Sequence, residues 1–136
     1  MREIEENDFV SSTFFFFFSS FAAALKTIEK MENEKTLELI WDKGRRFQTQ
    51  LEKILSNYSI GAELAGIPPM PYITFKRDNE NIYKSKRNDF YAQLIRRKVF
   101  MQPYHHGYIC RRHSEEDLVY TLNAVEESLN YLENKY

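Results

Sequence analysis

Arg97-Lys-Val-Phe-Met-Gln-Pro-Tyr-His-His-Gly-Tyr-Ile-Cys-Arg-Arg-His-Ser-Glu-Glu-Asp-Leu118 carries three kinds of local signal in one register. Val99-Phe-Met and Tyr108-Ile-Cys are short runs of β-formers and predict two strands. Between them, Pro103 and Gly107 allow the chain to bend. Ser114-Glu-Glu-Asp then starts a helix: the Ser114 hydroxyl can accept from a free amide of the first turn while the Asp117 carboxylate reaches back. Beyond it, Leu118, Leu122, Val125, Leu129 and Leu132 recur at helical steps and form one apolar stripe.

The same reading extends towards the N-terminus. Ser85 to Lys98 is expected as a helix with Phe90, Tyr91, Leu94 and Ile95 on its buried side, preceded by a charged surface loop from Lys76 to Lys84. Pro71-Tyr-Ile-Thr-Phe-Lys alternates as a strand does. Gly61 to Pro71 is broken by glycine and by Pro68, Pro69 and Pro71, so a strand near Ile60 to Leu64 must end before a turn. Thr36 to Asn57 places Leu37, Ile40, Trp41, Gly44, Phe47, Leu51, Ile54 and Leu55 on one face of a helix. Whatever part of that face the sheet leaves bare is expected to be exposed. Ala22 to about Asn33 is a run of strong helix formers. The order α-α-β-β-α-β-β-α predicts an α+β fold, a small, mostly antiparallel sheet covered by helices, with the closing helix packed across it.

Composition excludes several classes of function. The 136 residues suffice for one domain, and a net charge of −1 with interspersed signs gives no footprint for nucleic acid. The single cysteine, Cys110, rules out an internal disulfide and suits a reducing cytoplasm. Phe9 to Leu25 is uncharged and holds five consecutive phenylalanines, Phe14 to Phe18. It is short for a bilayer crossing of about 20 residues. Serines and a threonine interrupt it, and the acidic start from Met1 to Asp8 is the reverse of a secretory leader. No membrane role is expected; a small protein anchored by the Phe run is the reading that would replace the others if they failed.

Three matches carry a resemblance to a known family. They are Ser11-Ser-Thr-Phe with Ala22-Ala-Ala-Leu-Lys-Thr-Ile, Gly66-Ile-Pro-Pro-Met-Pro before an extended segment, and the stretch from Arg97 to Leu118. Together they resemble the C-terminal domain of the class III pyridoxal-phosphate-dependent aminotransferases, in particular glutamate-1-semialdehyde aminomutase-like members, from about Phe9 to Leu132. The resemblance implies the small domain of a fold-type I enzyme, with residues 1–21 as the end of the large-domain segment and junction and residues 22–136 as the C-terminal domain. It implies pyridoxal 5'-phosphate as cofactor, a small-molecule amino donor and acceptor, a cytoplasmic dimer, and a large domain or second subunit as partner.

Site residues follow from that resemblance. The threonine matching Thr13, with Ser12 beside it, helps hold the cofactor phosphate across the dimer, where a hydroxyl and amides before a helix offer donors to a dianion. Without the resemblance, Ser12 and Thr13 are a turn that caps the helix. Phe15 to Phe21 has the family's length but not its content, since relatives place glycine and polar residues there. Such an uncharged run is an aggregation hazard when exposed. His106 falls where some relatives carry an arginine that grips the substrate carboxylate; its other reading is a hydrogen-bonded turn histidine. For metal, an extended path would put His106 and Cys110 on one face and His105 and His113 on the other. No pair has the spacing of a zinc module, so no metal site is expected.

In the family, the Schiff-base lysine, the carboxylate facing the pyridinium nitrogen and the ring-stacking group lie in the large domain. Lys26, Lys30 and Lys53 sit beside acids on amphipathic helices and read as solvated charges. The expectation is a portion of an aminotransferase or aminomutase that is inactive alone. The alternative is a stand-alone α+β interaction module derived from such an enzyme, without catalysis.

Overall fold

The computed structural model describes residues 17–136. They fall into two compact units, one ending at Thr36 and one spanning Leu37–Tyr136. The first contributes helix α1 (Phe18–Asn33). The second holds α2 (Thr36–Ser56, from its second residue), β1 (Ala62–Ile67), β2 (Met70–Phe75), α3 (Ile82–Arg96) and α4 (Glu115–Lys135).

α1 forms because Ala22, Ala23, Ala24 and Leu25 lose little side-chain entropy in a helix. Lys26–Glu29 and Lys30–Glu34 ion pairs, both 2.9 Å, line its polar side. The helix buries no residue: Phe18, Phe21, Leu25 and Ile28, spaced three and four apart, are 77, 53, 69 and 54% exposed.

In the second unit β1 and β2 form an antiparallel hairpin with Ala62 opposite Phe75 and Ile67 opposite Met70. The fold is therefore α+β, as expected, with an antiparallel sheet of two strands among the described residues. Its buried side carries Ile73 and Phe75, and α3 packs on it through Phe90, Tyr91 and Leu94. The Phe90 ring stands edge-on to Phe75 and Tyr91 at 5.6 and 5.3 Å. Tyr91 is buried and donates its hydroxyl to the Ile73 carbonyl at 2.7 Å, which ties α3 to β2; burial pushes its phenol pKa up.

The last helix buries Leu118, Leu122, Val125, Leu129 and Leu132, the five residues of the expected stripe. It starts with the expected capping box: Asp117 N–H donates to Ser114 Oγ at 3.1 Å and Ser114 N–H to Asp117 Oδ2 at 2.8 Å. Its backbone lies against α3 and not across the sheet, so it meets β2 through the shared core. The α2 stripe is buried at Gly44, Phe47, Leu51 and Leu55, while Leu37 and Trp41 at its start are 59 and 39% exposed. On α3, Ile95 was expected inside but is 53% exposed; the buried side instead includes Arg87, Phe90, Tyr91, Gln93 and Leu94.

The expected strands at Val99–Met101 and Tyr108–Cys110 do not form. Val99 N–H is already taken, because it bonds the Leu94 carbonyl at 3.0 Å while Lys98 N–H bonds Ile95 at 2.9 Å. With Lys98 at φ 60 this is the Schellman ending of α3, the hydrophobic pair Val99 and Leu94 closing it. The second segment does run antiparallel beside β2: Gly107 and Ile109 donate to the Pro71 and Pro69 carbonyls, each at 2.8 Å. A regular antiparallel pair returns both bonds. Prolines have no N–H, so this ladder is one-way and no strand registers.

Gly44 is where α2 meets the hairpin tip. A Cβ there would overlap the Pro68 carbonyl and crowd Pro69 N, both main-chain atoms. In an exposed helix, Gly to Ala gains about 1 kcal/mol. Here the overlap outweighs it, and Gly44→Ala is expected to lower stability by about 1–3 kcal/mol, read as a reduced urea midpoint at unchanged slope. An increased midpoint would show that helix and hairpin can separate.

Candidate functional site

The chain between α3 and α4, residues 97–114, carries most of the chemistry. One end is anchored by the Schellman turn and the other by the capping box, and the two bonds to Pro69 and Pro71 hold its middle. Lys43 on α2 adds a cross-tie, its ammonium donating to the carbonyls of Arg111, at 3.1 Å, and His113. Arg46 on α2 also pairs with Glu115 at 2.8 Å; both are exposed, so this fixes little.

Below the segment lies a cavity of about 140 Å³. Phe47, Pro71, Val99, Met101, Ile109 and Leu118 make its apolar walls, and His113, Asp117 and Thr121 line its polar side. His113 Nδ1 accepts the Cys110 N–H at 3.2 Å, so in the neutral ring the proton is on Nε2. Asp117 is held below the usual carboxylate range, chiefly by the Ser114 N–H and then by the Ser114 hydroxyl, with smaller help from the His113 and Lys43 charges.

His106 is exposed on the outer side of the segment. Its ring stands 4.9 Å from that of His105, and both lie within 6 Å of Tyr108, at 5.9 and 5.8 Å. The two histidines thus neighbour one another instead of pointing to opposite faces, because a turn closed by His105 N–H on the Gln102 carbonyl, 3.3 Å, replaces the extended path. His113 and Cys110 form a separate pair. Among the described residues no three His, Cys, Asp or Glu side chains gather as a metal site would require. Ser12 and Thr13 lie outside the described residues.

Sequence reasoning missed Arg87. It is 6% exposed, the one charged side chain buried among the described residues, and it lies under Tyr104 of the loop. Its signal was positional: Arg87 precedes Phe90, Tyr91 and Leu94 by three, four and seven residues, on one helical face.

No described lysine is buried. The cavity wall carries no basic side chain other than His113, and a site of that kind does not fit a phosphorylated pyridine that is held as an imine. No described helix is long and apolar enough to cross a membrane.

The α+β fold is that of a domain of a pyridoxal-phosphate aminotransferase. It superposes on a Sphingopyxis sp. FumI protein in its pyridoxal-phosphate internal aldimine form with a TM-score of 0.81 at 23% identity, covering 96% of this chain and 31% of that one. An omega-transaminase from Sphaerobacter thermophilus matches more loosely, with a TM-score of 0.56 at 14% identity over 69% of this chain and 24% of the other. Sequence says the same. The chain is 48% identical over 129 residues to 3-aminobutyryl-CoA aminotransferase of Cloacimonas acidaminovorans, covering 95% of this chain and 31% of that protein. It is 27% identical over 133 residues to glutamate-1-semialdehyde 2,1-aminomutase of Methanosphaera stadtmanae, covering 91 and 31%. Aminopentol aminotransferase of Sphingopyxis macrogoltabida is 23% identical over 129 residues, at 95 and 30%. No family model matches the chain. The chain is homologous to the pyridoxal-phosphate-dependent aminotransferases and spans about a third of the length of these relatives. The resemblance read from the sequence is borne out.

Asp117 gives a pH test of the site's frame. Its depressed pKa contributes stability that is present above the unfolded carboxylate value, about 3.9, and lost as pH falls through the folded one. Asp117→Asn is therefore expected to lower the melting temperature at pH 7. The gap to wild type should close as pH drops below 4; a gap constant across that range would remove the carboxylate's role.

Proposed function

We propose that the chain is the C-terminal portion of a class III aminotransferase or aminomutase, contributing to amino-group transfer only when joined to a large domain in a cytoplasmic dimer. The observation that carries this reading is the 48% identity over 129 residues to an aminotransferase of which the chain spans 31%. The absence of a buried lysine among the described residues supports inactivity alone, since imine formation needs a desolvated amine with a depressed pKa. The stripe of α1 supports a missing partner: four apolar side chains at helical spacing are each more than half exposed.

In this reading residues 1–21 are the end of the large-domain segment and the junction. Ser12 and Thr13 offer hydroxyl and amide donors to the phosphate of pyridoxal phosphate bound mainly by the partner. His106 donates to a substrate carboxylate from the rim of the loop. The amino donor or acceptor is a small molecule; the named substrate of the 48% relative makes an amine on a coenzyme A thioester the first to try.

A second reading, a stand-alone module, is favoured by one observation: Leu37–Tyr136 has its own core, with Leu51, Ile73, Phe90 and Leu129 fully buried. One experiment separates the two. The purified chain mixed with pyridoxal phosphate is expected to show no aldimine absorbance and no turnover. Added to a large-domain polypeptide of the 48% relative, it should restore transamination, and His106→Ala should then raise KM at little cost in kcat. Failure to restore activity despite stable association would favour the module.

A further inference from the structure

Arg87 has charge that the described protein does not neutralise. Its guanidinium carbon sits 3.6 Å from the centroid of the Tyr104 ring and 5.8 Å from that of Tyr83. Its hydrogen bond goes to the Tyr104 hydroxyl, and buried Nε has no acceptor. The ion pairs of the described residues use other cations, so no described carboxylate is paired with this group. A guanidinium has five N–H donors and keeps its proton in any protein, so burial cannot be relieved by titration. Leaving such a cation unpaired is costly.

The cover over it is also strained. Tyr104 adopts φ 65, the left-handed region that a tyrosine rarely enters. The residue is 67% exposed, so the loop holds a wet residue in an unfavourable conformation over a buried cation. The neighbouring Gln102–His105 turn and the Gly107–Pro71 bond confine this strain to a few residues.

We propose that Arg87 is a binding site for the carboxylate of a small organic acid, with Tyr104 as the cover that the ligand displaces. A single fixed positive charge with an unused Nε–H matches a planar monoanion, which takes two parallel N–H bonds from the fork once Tyr104 is displaced. A phosphate dianion would bring a second charge with nothing buried to meet it. This goes beyond the amino-transfer reading, because binding is measured on the chain itself without any turnover. A negative result removes the site and leaves that reading standing.

The test is a titration of the full chain with acetate and propionate at constant ionic strength, followed by NMR at the Arg87 Nε–H and the amides of Tyr104 to His106. A saturable shift is expected. Arg87→Lys, which keeps the charge but loses the fork, should weaken it about tenfold at the same amides. Tyr104→Phe keeps the ring and frees a guanidinium N–H, so it should tighten binding about threefold. The proposal is overturned by the absence of saturation, by equal affinity in Arg87→Lys, by weaker or unchanged affinity in Tyr104→Phe, or by a response to inorganic phosphate without one to either acid. Tyr104→Phe alters an exposed ring, so it keeps the proposal testable should the Arg87 variant fail to fold.

Discussion

The approach of α2 to the hairpin tip at Gly44 is the constraint on which the second unit depends. Because the helix backbone has no side chain there, the Pro68 carbonyl can lie directly against it. That contact sets the height of the tip, and with it the position of the Pro69 and Pro71 carbonyls that hold Gly107 and Ile109. The loop with Tyr104 and His106, the cavity beneath and the entry to α4 all take their place from those acceptors. Burial of Phe47, Leu51 and Leu55 on the same helix face then makes the arrangement favourable, at roughly 25 cal/mol for each Å² of apolar surface removed from water.

The two units differ in how they treat apolar surface. Leu37–Tyr136 has a continuous core drawn from α2, β2, α3, α4 and the connecting loop. α1 has a periodic stripe of which no residue is buried. A helix with that pattern belongs against another surface, and relatives three times as long as this chain have residues to supply one. The phenylalanines at its start, Phe17 and Phe18, are 58 and 77% exposed, which gives the aggregation hazard read from the sequence a structural basis.

Much of this was legible in the sequence, for identifiable reasons. The α4 stripe and its capping box are local patterns, and every residue named for them is where the pattern put it. The strand over Pro71–Phe75 was readable from alternation, whereas the one expected near Ile60 to Leu64 runs instead from Ala62 to Ile67, up to the proline turn. Val99–Met101 and Tyr108–Cys110 misled because β-propensity describes side chains, whereas a ladder needs main-chain donors and acceptors. Val99 had given its N–H to a helix end, and the residues facing Gly107 and Ile109 were prolines with none to give. Arg87 was overlooked because charge argues for solvent, and only the ring of Tyr104, 17 positions downstream, makes its burial intelligible. Ile95 erred the other way, an apolar residue one step past the turn of α3 that faces inward.

The one-way ladder beside β2 has a kinetic consequence. Since the prolines only accept, the two main-chain bonds that tie the loop to the hairpin can break without removing any that join β1 to β2. Opening of this segment is thereby uncoupled from melting of the hairpin, and its amides can trade with solvent while the sheet remains intact.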